Sequence, residues 1–435
     1  MFNMTNEYLA TCLMNNNYKA LLTKQRTYAA FNDSYKSKDE LTPKKCFEIL
    51  ANLGINEILD PMSGYGTIMN YGWEYSISTY MMEVNLPAYL WQLMVSAENN
   101  NALLFAVDEI LKRQDQWPKT KQMFEVSDNL VGTEGLRILC GLFELNQTIL
   151  SNVLIDKVII QKLSLSILLP FLLRLSTALK GDNIHIKNGG VALLKYYEND
   201  YSYYLNHMLR NRLIDIFEQH KQFKITSFEL VNQSIYEDAI NYSFPEKRFR
   251  GMLTSPPYPN GIDYAKMYAA ENFFINFLFD INKLDFNRIA APIIGTNVVK
   301  GRNSYNITTD VANNFLQKLK TIKLKKVPRY AMDTYYIPYF SNYFCDLERA
   351  YGNISKSLED DFVGYIVVTN NAIRNITIPV SDFIIELWNN LGFEAKSVKE
   401  KEISHVGTKN PNAKGKMARH TEHIIKIWRG SFGSE

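Results

Sequence analysis

The order of apolar and polar positions changes character three times along the chain. Thr42-Pro43 opens a stretch with apolar residues at helical spacing through Leu53. EILDP (57–61) then reads as a short buried strand, SGYGT (63–67) as a glycine turn leading into a helix, and STYMMEV (78–84) as a second strand. From 88 to 222 the apolar residues recur at three- and four-residue spacing, and KNGG (187–190) is the one clear turn signal. Strand-like runs return with FELV (228–231), RGMLTSPPY (250–258), DFVGYIVVTNN (361–371) and HIIKIW (423–428). A helical stretch, DFIIELWNNLGF (382–393), separates the last two. Strands alternating with helices predict an α/β sheet of largely parallel strands, interrupted by a large helical insertion. The expected division is an N-terminal part (1–87), the insertion (88–222) and a C-terminal part (223–435).

Composition narrows this little. Hydrophobic residues make up 46% and charged residues 21%, as in an ordinary soluble globular chain, and 435 residues suit a catalytic domain with attached pieces. The net charge of +3 is too small to argue for a nucleic-acid partner, so that argument must come from local clusters. Cys12, Cys46, Cys140 and Cys345 are scattered, which speaks against a structural metal site or a disulfide framework and for a reducing cytoplasm. The first residues show no basic stretch before an apolar core, so no signal peptide is expected. Leu163 to Leu179 is the longest greasy stretch, but Pro170 and Arg174 interrupt it, and it reads as a buried helix pair rather than a membrane span.

Two segments carry candidate chemistry. In the first, Asp60 and Pro61 close a strand, and Ser63, Gly64, Gly66 and Thr67 form a turn whose glycines let backbone approach a ligand at the carboxyl edge of a sheet. Glu83 ends the next strand, 23 positions after Asp60, where a carboxylate accepts hydrogen bonds from two ribose hydroxyls. The turn lacks the lysine of a phosphate cradle, so a nucleoside ligand suits it better. The second segment is Ser255-Pro256-Pro257-Tyr258, directly after an apolar strand. Its prolines remove two backbone donors and leave carbonyl acceptors, Ser255 adds an acceptor, and Tyr258 offers a flat face. Such a loop can hold an exocyclic amine by its hydrogens while the ring stacks.

Together these segments resemble the amino-methylating DNA methyltransferases, whose cofactor loop is similar to DPxSGxGT and whose catalytic loop is [DNS]PP[YFW]. The serine form resembles the cytosine-N4 branch, although some adenine-N6 enzymes share it. The run TSPPYPNGIDY (254–264) resembles an extended version of the motif. The resemblance spans about residues 25–90 and 225–430 and leaves out the insertion. It implies a Rossmann-like methyltransferase sheet and S-adenosyl-L-methionine as cofactor, held by Asp60, Pro61, Ser63, Gly64, Gly66, Thr67 and Glu83. Where the family places Gly-Asp to meet the cofactor's adenine amine, this chain has Asn232, Gln233 and Ser234, which leaves Ser234 as the acceptor there.

The implied reaction flips a base out of duplex DNA. Ser255 and the Pro256 carbonyl orient its amine, and Tyr258 stacks on the ring. The amine attacks the sulfonium methyl in line. No cysteine follows a proline, which sets aside the carbon-5 route with its cysteine nucleophile. Phosphate contacts are expected from the basic run holding Lys323, Lys325 and Lys326 and from Lys414, Lys416 and Arg419, with Lys300 to Arg302 as a third patch. The insertion is the first choice for reading DNA sequence, and 280–340 the second. No metal is expected. Restriction or phage-defence proteins are the partners the family most often has. Adenine-N6 methylation and a non-catalytic DNA-binding module remain as alternatives.

Overall fold

The computed structural model of the chain describes residues 41–85, 88–89, 92, 232–244, 246–259, 292–296, 306–322, 332–373, 376–405 and 418–434. The chain divides into two compact units. One comprises Met1–Val84, Val231–Asp263 and Pro292–Glu435, and the other Asn85–Leu230 and Tyr264–Ala291. Nearly all the described residues belong to the first.

Its opening follows the local signals closely. Thr42 caps α1 (Pro43–Asn52): its Oγ1 accepts from Lys45 N at 3.0 Å, and proline takes the first helical position, where no donor is needed. The helix buries Cys46, Phe47 and Leu50. β1 (Glu57–Asp60) leads through the glycine turn into α2 (Thr67–Tyr75) and β2 (Ser78–Glu83). Phe47 and Tyr71 meet edge to face at 5.6 Å, joining the two helices.

The expected strand FELV lies outside the described residues. The described strand is the more polar β3 (Asn232–Tyr236), at the end of the sheet, and it is followed by β4 (Phe249–Thr254). Next come α3 (Asp310–Lys320), a π-helical turn (Met332–Tyr336) and α4 (Ile337–Ile354). Then follow β5 (Leu358–Asn370), the short pair β6 (Ala372–Ile373) and β7 (Ile376–Thr377), and α5 (Val380–Asn390). β8 (Glu394–His405) and β9 (Ala418–Arg429) complete the sheet. The sequence pattern does not predict β8, because EAKSVKEKEISH carries charge at half of its positions.

The seven strands run in the order β3-β2-β1-β4-β5-β9-β8. The first five pair in parallel, while β9 runs antiparallel between β5 and β8. The α/β expectation therefore holds in its coarse form, a mostly parallel mixed sheet with helices. From β1 the chain winds outward through β2 to β3, and from β4 it winds the opposite way to β5. The winding reverses between the carboxyl ends of β1 and β4, the place where open sheets of this kind bind ligands.

One continuous core joins Leu59, Met82, Met252 and Ile366 of the sheet to Phe315, Phe344 and Trp388 of α3, α4 and α5. These helices are tied at one point. Glu348 accepts from Thr308 N, Thr309 N and Thr309 Oγ1, and Glu386 accepts from Asp310 N and Val311 N. Two carboxylates thus satisfy the donors at the start of α3 and meet its positive dipole end.

Among the described residues no helix is long and apolar enough to cross a membrane. The greasy stretch at 163–179 lies outside them.

Packing at the sheet centre leaves no room at Gly251, where an added Cβ would lie 2.5 Å from Cγ2 of the buried Ile55. Gly251→Ala is expected to lower stability by about 1–3 kcal/mol, read as a fall in denaturation midpoint; an unchanged midpoint would refute the close approach.

Candidate functional site

The winding reversal brings the two candidate segments together. Asp60, the last residue of β1, is 1% exposed. Its Oδ1 accepts from Thr254 Oγ1 at 2.7 Å and from Met62 N at 3.2 Å. Thr254 is the last residue of β4, so a single buried hydrogen bond joins loops 194 positions apart.

The glycine turn folds over the end of β2. Ser63 donates to the Met82 carbonyl twice, from its backbone N at 3.1 Å and from Oγ at 2.9 Å. Gly64 and Gly66 have φ of 53° and 74°, the left-handed region that glycine adopts at least cost. Among the described residues a Cβ on Gly64 would meet nothing within 4 Å. Gly66 starts α2 without any side-chain cap, Pro61 is buried, and Thr67 is the first helical residue. Glu83 ends β2 and is 9% exposed. It lies two positions beyond Met81, the register partner of Asp60. Ser234 sits in mid-strand, level with Met81, two register positions short of the Glu83–Tyr236 pair. Its Oγ is buried and has no hydrogen-bond partner among the described residues.

The Ser-Pro-Pro-Tyr loop is pinned from two further sides. Ser255 Oγ donates to the Val367 carbonyl of β5 at 2.8 Å. The Tyr258 hydroxyl lies 3.0 Å from Ser255 Oγ and 3.5 Å from the same carbonyl. Tyr343 of α4 donates to the Pro257 carbonyl at 3.0 Å. With its proton committed to Val367, Ser255 can act only as an acceptor toward anything else. Pro256 and Pro257 have no N–H to offer. The loop is therefore rich in acceptors and poor in donors, the complement of an amine.

Two buried groups respond to this setting. Burial pushes the Asp60 carboxyl up to about 7, against the lowering effect of the hydrogen bonds from Thr254 and Met62. Tyr351 of α4 is fully buried, and burial raises its phenol well above the ordinary range, with Asp60 and then Tyr258 adding to the effect. Its hydroxyl has no hydrogen-bond partner among the described residues. The described cysteines, Cys46 and Cys345, are buried, and burial holds the Cys46 thiol protonated.

Of the expected DNA contacts, Lys323, Lys325, Lys326, Lys414 and Lys416 lie outside the described residues, as do Lys300 to Arg302. Arg419 is described only in its backbone, which pairs with Ser404 in the β8–β9 ladder. Thr254, Tyr343, Tyr351 and the Val367 carbonyl were not among the expected site residues. A hydroxyl at a strand end is a weak signal for the first, and nothing local marks the others. Tyr236 likewise emerges from the fold, 47% exposed and in register with Glu83.

Scans against protein-family models, curated proteins and solved structures returned no match to this chain.

The Asp60 shift sets a pH dependence of stability. A carboxyl whose folded value is raised contributes stability that is whole below about 4 and lost as pH rises through about 7. Asn keeps an acceptor for Thr254 and Met62 but carries no charge to bury. Asp60→Asn is thus expected to gain on the order of 2–4 kcal/mol over wild type at about pH 8 and to gain nothing at about pH 4. Parallel stability curves for the two proteins across that range would contradict it.

Proposed function

We propose that this chain is an S-adenosyl-L-methionine-dependent DNA methyltransferase that acts on an exocyclic amino group, with cytosine N4 as its first target. The observation that carries the reading is the Thr254–Asp60 hydrogen bond of 2.7 Å, which sets the glycine turn against the Ser-Pro-Pro-Tyr loop at the winding reversal. Either segment alone has ordinary structural explanations, but their convergence at the edge where such sheets bind ligands does not follow from either one.

The sheet supports the same reading. Its first five strands follow the doubly wound nucleotide-binding order.

The residues present fit the cofactor. The left-handed glycine turn suits close approach to backbone, Glu83 suits a ribose diol, and Ser234 Oγ is a buried polar atom without a hydrogen-bond partner among the described residues. When bound, the cofactor supplies a methyl group made electrophilic by its sulfonium. The protein's part is to position the amine. Ser255 Oγ and the Pro256 carbonyl accept the two amine hydrogens and turn the nitrogen lone pair toward the methyl. Tyr258, tethered through its hydroxyl, forms a wall for the ring. Holding the reactants in line is the main source of rate in such a transfer, because no covalent intermediate with the enzyme is needed. The base must leave the duplex to reach this loop. DNA, and any restriction or defence partner, belong to the proposal on the strength of the resemblance.

The test is incubation of purified protein with radiolabelled cofactor and duplexes of varied sequence, followed by digestion to nucleosides. Label is expected in N4-methylcytosine, and Ser255→Ala should reduce it by about 10²–10³-fold. Label in N6-methyladenine would move the target base within the same mechanism. Cofactor binding without label in any DNA would end the claim of DNA modification.

A further inference from the structure

β5 outruns its neighbour β4. The pairing of the two ends at Thr254 and Ile366, whereas β5 continues through Asn370. Among the described residues, 367–370 of β5 pair only with β9, from Val367↔Ile424 to Asn370↔Thr421. The Ser-Pro-Pro-Tyr loop leans on this overhang, because Ser255 Oγ and the Tyr258 hydroxyl both meet the Val367 carbonyl. The loop can be no better fixed than the strand end that carries it.

A second set of contacts holds the tip of the overhang. Asn370 Oδ1 accepts from Ser381 N at 2.9 Å, and its Nδ2 reaches Ser381 Oγ at 2.7 Å and His423 Nε2 at 3.1 Å. A backbone N–H can only donate, so Ser381 fixes which end of the amide faces α5 and leaves the Nδ2 hydrogens for the serine and the imidazole. His423 Nε2 must then be an acceptor. The ring is neutral, with its proton on Nδ1, which faces Ser397 Oγ at 3.4 Å and Glu400 Oε1 at 3.5 Å. Ser397 directs its own proton to the Lys399 carbonyl, which leaves its oxygen free to accept from Nδ1. His423 is 6% exposed, so little water is at hand to replace these partners.

We propose that His423 in its neutral form is a positioning residue for the Ser-Pro-Pro-Tyr loop, acting through Asn370 and the β5 overhang on the Val367 carbonyl. What the positioned loop then does rests on the methyltransferase reading above. A proton added to Nε2 sets N–H against N–H. Asn370 cannot turn its amide to meet the new donor without setting a second N–H against Ser381 N. Either the imidazole contact or the backbone contact to α5 therefore breaks.

The charged groups around the ring come from two elements. Glu400 of β8 and Asp382 of α5 both favour the imidazolium, but burial outweighs them and holds His423 below its ordinary range. Elsewhere on these elements, Lys399 bonds the Leu41 carbonyl and Glu386 bonds the start of α3. Lys401 and Glu422 pair in register next to Glu400 and His423, so strand alternation turns them to the opposite face. The arrangement is thus whole at neutral pH and is lost as pH falls below the imidazole's own value, which lies under 6.5.

Nuclear magnetic resonance of the full chain, labelled with 15N-histidine and 13C-tyrosine, tests the coupling without relying on activity. The His423 nitrogens, identified by their loss in His423→Gln, should report the Nδ1–H tautomer at about pH 8 and a midpoint below 6.5. The Tyr258 ring signal, identified by Tyr258→Phe, should shift with that same midpoint. A glutamine at 423 offers Asn370 an oxygen that does not titrate, so in that variant the step at Tyr258 should vanish, while any step from Asp60 remains. His423→Leu should lower kcat about 10–100-fold at about pH 8 with cofactor affinity unchanged, and glutamine should restore it. An Nε2–H tautomer, or a Tyr258 signal that ignores the His423 step, overturns the assignment and leaves the methyltransferase reading standing. If Tyr258 follows His423 but no DNA is methylated at any pH, the coupling stands and that reading falls. Both spectroscopic readouts are made on wild-type protein, so they decide the matter even where the leucine variant does not fold.

Discussion

The reversal of winding between β1 and β4 is the constraint on which the rest of the site depends. A parallel sheet that winds in one direction covers its carboxyl edge with connections. A sheet that winds outward from its middle both ways has two adjacent strand ends whose connections leave in opposite directions. Those ends here are Asp60 and Thr254, and the fold closes the seam between them with one hydrogen bond shielded from water. In a low-dielectric setting such a bond is stronger than its solvent-exposed counterpart, and the loss of either partner is correspondingly costly. The positions of the glycine turn and of the proline loop relative to each other follow from it.

The chemistry proposed for the proline loop arises largely from what the loop lacks. Two prolines remove backbone donors, and Val367 occupies the proton of Ser255. A third acceptor, the Pro257 carbonyl, is taken by Tyr343. What is left is narrow: a serine oxygen, one proline carbonyl and an aromatic wall. Selectivity for a donor group comes from subtraction, with each anchoring bond removing an alternative that a ligand would otherwise meet. The same anchors come from β5 and α4, so the loop's geometry is inherited from the most deeply packed part of the core.

Much of residues 41–85 was legible because their signals are local. A threonine before a proline marks a helix start whatever surrounds it, and Thr42 behaves accordingly. Glycines that need a left-handed backbone announce a turn. The strand-end acids Asp60 and Glu83 were visible from spacing alone. The Thr254–Asp60 contact was not, since no short-range pattern links residues so far apart along the chain. β8 was missed because as an edge strand it exposes one face and one rim, and its charges mask the alternation. Tyr343 and Tyr351 look like any tyrosines of an amphipathic helix; only the packing of α4 against β4 and β5 turns their hydroxyls into an anchor and an unpaired group. For Ser234, register decided what motif matching could not, placing it within the strand rather than at its tip.

The tether on Tyr258 has a thermodynamic consequence. A phenylalanine would present the same face, but it would turn about two free torsions until a ring settled on it. Here the hydroxyl, held by Ser255 and the β5 carbonyl, restrains those torsions when the chain folds. The rotational entropy of the side chain is thus surrendered on folding, and the base binding proposed for this loop would have less disorder left to remove. Rigidity of this kind sharpens discrimination by shape. An ill-fitting ring would have to break a hydrogen bond to make room, whereas a well-fitting one finds the surface already in place.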